Sequence, residues 1–163
     1  MNSRKIRVLV SISRYGLAAF FLFTAGAKLW YISFFATNVG ELLSSMHFND
    51  QRWMWPATVA VISTELFTAL LLLLPRTVRI GALLSAALLI GFSAFALYYV
   101  YILHGEPLEC GCFGKLIGSQ LGLKTALRNL GLLIPALLVF FGYSRARGLP
   151  ADDWPADAAT AEN

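Results

Sequence analysis

Residues Pro56 to Leu103, PATVAVISTELFTALLLLLPRTVRIGALLSAALLIGFSAFALYYVYIL, decide the fold. They hold two apolar runs, about 56–74 and 80–103, each near the length an α-helix needs to cross a hydrocarbon core roughly 30 Å thick. Between them stand only Pro75, Arg76, Thr77, Val78 and Arg79. A proline pushes the residue before it out of helical geometry, and two arginines are costly anywhere but at the water boundary. The stretch therefore reads as two antiparallel membrane helices joined by a tight turn. Two further runs of similar length flank it, about 8–30 and 121–143. The expected fold is an all-α membrane protein, a four-transmembrane-helix bundle.

Composition agrees. Hydrophobic residues make up 58% of the chain and charged residues 13%, against about a quarter charged in a soluble domain. Mean hydropathy is +0.66. Too little polar surface remains to solvate a helical core, so a soluble globular domain is excluded and the lipid bilayer is the first partner. The formal net charge of +4 traces to basic residues beside the spans, which gives no ground for nucleic-acid binding.

Those basic residues set the orientation, because lysine and arginine in short loops are retained on the cytoplasmic side. Arg4, Lys5 and Arg7 precede the first span, Arg76 and Arg79 fill the turn, and Arg145 and Arg147 follow the fourth. The opposite loops carry Arg52 and Lys115 beside Glu41, Asp50, Glu106 and Glu109. Both termini are expected in the cytoplasm. The run Ala25-Gly26-Ala27 imitates a signal-peptide cleavage site, but Arg14 interrupts the apolar stretch before it and cutting there would leave three spans. The segment is expected to stay.

Residues 1–147 read as one membrane domain. The loop over residues 31–55 has Trp30, Tyr31, Phe34, Phe35, Trp53 and Trp55 at its ends, the aromatic enrichment of a membrane boundary, and its middle is expected to form a short interfacial helix. Residues 148–163, with Pro150, Pro155 and four of the nine acidic residues, have too little apolar content to fold and are expected to form a disordered cytoplasmic tail.

The chain's two cysteines both lie in Cys110-Gly111-Cys112-Phe113-Gly114, between the third and fourth spans. The topology puts them on the outer face, where no thiol pool reduces disulfides. A bridge between Cys110 and Cys112 would span one residue, and Gly111 supplies the backbone freedom that so small a ring demands. Strained disulfides are easier to reduce and belong to the exchangeable class. Lys115 favours the thiolate. The run thus reads as a redox pair of a possible thiol–disulfide oxidoreductase. A structural bridge in a non-catalytic assembly factor is an alternative. A small transporter or soft-metal carrier is another, with His104, Met46 or His47 as added ligands; the cysteines have no close histidine motif, and no metal is assigned.

Charges inside spans are costly and usually face a partner or a cavity. Glu65 lies near the middle of the second span, and Arg128 with Asn129 lies about two turns into the fourth, which makes a Glu65 to Arg128 pair geometrically reasonable. Arg14 and Lys28 lie toward opposite ends of the first span, where both can snorkel to the boundary. These residues read either as braces of the bundle or as a polar pocket below the cysteines that binds a quinone or moves protons.

The order of these features resembles the methylamine utilisation protein MauE family, within the broader DoxX-like group of four-span membrane proteins. The matching residues are Arg14, Gly26-Ala27-Lys28-Leu29, Pro56 followed by Glu65-Leu66, Cys110-Gly111-Cys112-Phe113-Gly114, and Arg128-Asn129. The cysteine run is the most specific of them, and the likeness extends from Arg14 to about Tyr143. It implies an inner-membrane component that works with a periplasmic thioredoxin-like protein to mature an exported, disulfide-containing client. In the family that client is the light subunit of methylamine dehydrogenase.

Overall fold

The structure, a computed structural model, describes residues 3–46, 51–101 and 123–147. All of its long elements are helical: α1 over Ser3–Trp30, α2 over Ile32–Ser45, α3 over Met54–Leu73, α4 over Val78–Tyr101 and α5 over Leu123–Arg147, with a short 3-10 turn at Gln51–Trp53. Four of them, α1, α3, α4 and α5, are long and apolar enough to cross a membrane. The expected four-span fold is the observed one. Helix α1 packs on α3 and α5, and α4 packs on the same two. The four therefore form a ring in which chain neighbours run antiparallel. The bundle has a basic end, with the start of α1, the α3–α4 turn and the end of α5, and an opposite end. From that opposite end residues 102–122, which include both cysteines, join α4 to α5.

The turn forms as its residues dictate. Leu74, the residue before Pro75, leaves helical geometry with ψ at 123°, as proline requires of its predecessor. The Thr77 hydroxyl donates to Leu71 O at 3.0 Å and its amide to Leu74 O at 3.2 Å, satisfying carbonyls that α3 leaves open. Gly81 then lets α4 lie directly on α3. A Cβ there would meet Leu72 N at 2.8 Å and Leu71 C at 2.9 Å.

The loop after α1 differs from expectation in extent. Its helix occupies the head of the loop, since only Tyr31, with φ −113° and ψ 42°, departs from helical geometry between α1 and α2. The Tyr31 carbonyl already accepts from Phe35 N at 2.9 Å, so one residue changes the direction of the chain without losing the hydrogen-bond ladder. Ala36 and Val39 are the buried positions of α2, which packs mainly against α3.

The apolar core is gathered toward one end of the bundle. Leu17, Phe21, Leu72, Val78, Leu89 and Val139, with Ala18, Ala69, Ala82, Ala86 and Ala136, form one cluster. Most of it lies in the half nearer the basic end. Small residues suit this job, because lipid gives no hydrophobic drive between helices and association rests on close packing. Large apolar side chains such as Ile12, Ile80, Ile134 and Phe141 cover the outside. That is the pattern of a surface solvated by lipid.

Candidate functional site

The half of the bundle nearer the cysteine segment holds a buried ion pair. Lys28 on α1 and Glu65 on α3 are each 2% exposed and form an ion pair, Lys28 Nζ donating to Glu65 Oε1. Helix geometry explains why two residues at different depths meet. Every Cα–Cβ bond tilts toward the N-terminus of its helix. Lys28 sits near the C-terminal end of α1 and so leans into the bundle. Glu65, on the antiparallel α3, leans out toward it. This corrects the expectation that Lys28 snorkels: the boundary lies the other way along α1 from the direction its side chain takes. The ammonium also lies 5.4 Å from the Phe35 ring centroid and 5.7 Å from that of Phe92. The pair thus ties together α1 and α3, and aromatic faces from α2 and α4 line it. Such faces attract a desolvated cation.

Other polar groups share this half. Thr24, Thr58 and Ser93 are buried and donate to Phe21 O, Met54 O and Leu89 O of their own helices. On α5 Asn129 is 2% exposed, and its Nδ2 has no hydrogen-bond partner among the described residues. Beside it Nε and Nη2 of Arg128 are buried. Arg128 lies near the N-terminal end of α5, so the same tilt aims it toward the end that carries the cysteine segment.

Arg14 behaves differently, and it too departs from simple snorkelling. Its side chain is buried and reaches across to α3, with Nε donating to Leu72 O and Nη2 to Leu73 O, both at 2.6 Å. These are terminal carbonyls of a helix, where the macrodipole places negative charge. The guanidinium lies 5.1 Å from the Tyr15 ring centroid and 5.7 Å from that of Tyr143, and the Tyr143 hydroxyl donates to Pro75 O at 2.8 Å. Arg14 therefore clasps α1, α3 and α5 at the basic end.

Of the residues singled out from sequence, Lys28 and Glu65 come together, Arg128 and Asn129 occupy the same half of the bundle, and Arg14 stands apart at the other end. Cys110, Gly111, Cys112, Phe113, Gly114 and Lys115 lie outside the described residues, as do His47 and His104. Phe92, Tyr15 and Tyr143 carry no motif, and sequence reasoning misses them; Phe35 reads only as a boundary aromatic, without its place beside Lys28. For Tyr15 the adjacency to Arg14 is the one available signal.

No curated protein and no solved structure matches the chain. The family described as methylamine utilisation protein MauE matches residues 6–142, an interval that takes in α2, α3 and α4, most of α1 and α5, and Arg14, Lys28, Glu65, Cys110, Cys112, Arg128 and Asn129. With four membrane-length helices and that match, the chain belongs to the MauE family of methylamine utilisation proteins.

Proposed function

We propose that the chain is a thiol–disulfide redox component of a bacterial inner membrane, with Cys110 and Cys112 facing the periplasm and both termini in the cytoplasm. The observation that carries this reading is the Cys110-Gly111-Cys112 run in the segment joining α4 to α5, at the end of the bundle opposite all seven basic flanking residues. Membership of the MauE family and the buried charges in the same half of the bundle support it.

In this reading a thiolate of a periplasmic thioredoxin-like protein attacks one sulfur of the Cys110–Cys112 disulfide. The S–S bond breaks, a mixed disulfide forms and the other cysteine leaves as thiolate. The partner's second thiol then attacks the mixed disulfide. The partner departs oxidised and the pair remains as a dithiol, two electrons and two protons having moved inward. The partner in turn oxidises an exported client and brings the client specificity. Returning the dithiol to disulfide requires a two-electron, two-proton acceptor in the bilayer, and a membrane quinone is of that class. Relative reduction potentials set the direction of flow.

Replacing Cys110 and Cys112 together by serine tests the reading. It predicts that client disulfides form more slowly while the membrane level of the protein is unchanged. Normal client oxidation in that strain would leave a non-redox assembly role instead.

A further inference from the structure

We infer that the seam between α1 and α5 at the basic end is a binding site for one diacyl phospholipid with an anionic headgroup. The seam is an open groove of about 350 Å³ lined by apolar side chains that include Leu9, Val10, Ile134, Leu138 and Phe141. Gly142 forms its floor, where α5 comes so near α1 that a Cβ would stand 2.6 Å from Val10 Cγ2. A second groove of about 320 Å³ adjoins it, lined by Lys5, Val8, Leu9 and Ile12. Two shallow apolar grooves that share Leu9, the second on the face of α1 alone with Lys5 in its lining, suit the two chains and the charged head of a single lipid.

Length and charge support the same occupant. From Ile134 to Gly142 the groove follows α5 for roughly 12 Å at 1.5 Å per residue, close to the depth of one leaflet in a hydrocarbon core roughly 30 Å thick. It therefore accommodates a chain entering from the basic end and no farther than the midplane. Lys5 is exposed where that chain's headgroup would lie. The first turn of α1 has no acidic residue, and Arg4, Arg7, Arg145 and Arg147 stand in the neighbouring sequence, with no acid in residues 1–40 or 66–105. Basic clusters beside membrane helices select anionic headgroups. Among the described residues the groove linings include no polar side chain besides Lys5, in keeping with a ligand held mainly by its acyl chains.

The test is native mass spectrometry of the full chain, delipidated in mild detergent and titrated with phosphatidylglycerol or with phosphatidylcholine of the same acyl chains. One phosphatidylglycerol is expected per chain, at higher occupancy than phosphatidylcholine. Lys5→Gln should weaken phosphatidylglycerol by about fivefold, the weight of one cation at an anionic interface, and leave phosphatidylcholine unchanged. Leu138→Trp, on the outward face, should lower both by filling the groove, and Ile134→Trp provides the same obstruction should the first variant fold poorly. Equal binding of the two lipids by the unmodified chain overturns the proposal. So does unchanged occupancy in the tryptophan variants, or efficient Leu138→Cys self-crosslinking in membranes, which would mean that a second copy covers the seam.

Discussion

Replacing Lys28 by methionine removes the cation of the buried pair while keeping an unbranched side chain one atom shorter. Glu65 then stays 2% exposed, eleven residues into α3, or roughly 16 Å from the start of that helix. At that depth its carboxylate cannot reach the boundary. Breaking a buried ion pair at one partner costs about 3–5 kcal/mol, and a single acidic residue at mid-membrane costs roughly 2.5–3.5 kcal/mol on insertion scales. The expected loss for Lys28→Met is about 3 kcal/mol. Glu65→Gln should cost less, about 1–2 kcal/mol. Lys28 sits two residues from the end of α1 and can re-aim its ammonium toward water. The double variant Lys28→Met with Glu65→Met leaves neither charge of the pair and should return to within about 1 kcal/mol of the parent, since apolar replacement of a whole buried pair is often neutral. Ordinary interhelical hydrogen bonds in membranes average only about 0.6 kcal/mol, so the single lysine variant separates an ion pair from a neutral contact. The assay is reversible unfolding of the purified chain in bicelles by titration with dodecyl sulfate, followed by helicity. A Lys28→Met loss below about 0.6 kcal/mol, or a double variant no more stable than the singles, would refute the reasoning.

Arg14→Met deletes both hydrogen bonds to the end of α3, and a charge-assisted bond contributes about 1.5–3 kcal/mol; a loss of about 3 kcal/mol is expected in the same unfolding assay. Arg14→Lys, with one cationic centre in place of a fork, should recover only part of it. Gly81→Ala forces a methyl against the backbone of Leu71 and Leu72 and should cost about 1–3 kcal/mol, whereas Gly91→Ala, which meets nothing within 4 Å, should be neutral or slightly stabilising through helix propensity. Comparing those two thermal midpoints in detergent checks the close approach of α3 and α4.

The fold was legible because its signals are coarse and strong. Runs of about 20 apolar residues leave a chain few choices in lipid, and Pro75 between two arginines marks a turn whatever packs around it. The depth of each charged residue along its helix was legible too. Partner choice was not, because it depends on which helices are neighbours and on the tilt of each side chain. Lys28 reads as a boundary residue when counted from the end of α1, yet the tilt of its Cα–Cβ bond and the antiparallel α3 carry it to Glu65. Arg14 likewise reads as a snorkelling cation, although the carbonyls it satisfies belong to residues 58 and 59 positions away. The aromatic faces around Lys28 come from α2 and α4, and no local pattern announces them. The cysteine run is the reverse case, specific in sequence and dependent on no packing to be noticed.

The proposal that Cys110 and Cys112 exchange disulfides with a partner on the outer face is tested most directly by trapping. Cys110→Ser and Cys112→Ser are expressed in turn in intact cells, free thiols are quenched with acid and alkylated, and the chain is isolated without reductant. The account predicts that one of the two variants accumulates as a mixed disulfide with a periplasmic thioredoxin-like protein, released by reductant, and that the other does not. Neither variant carrying any disulfide-linked protein, with the remaining cysteine inert to an impermeant maleimide added outside the cell, would contradict it.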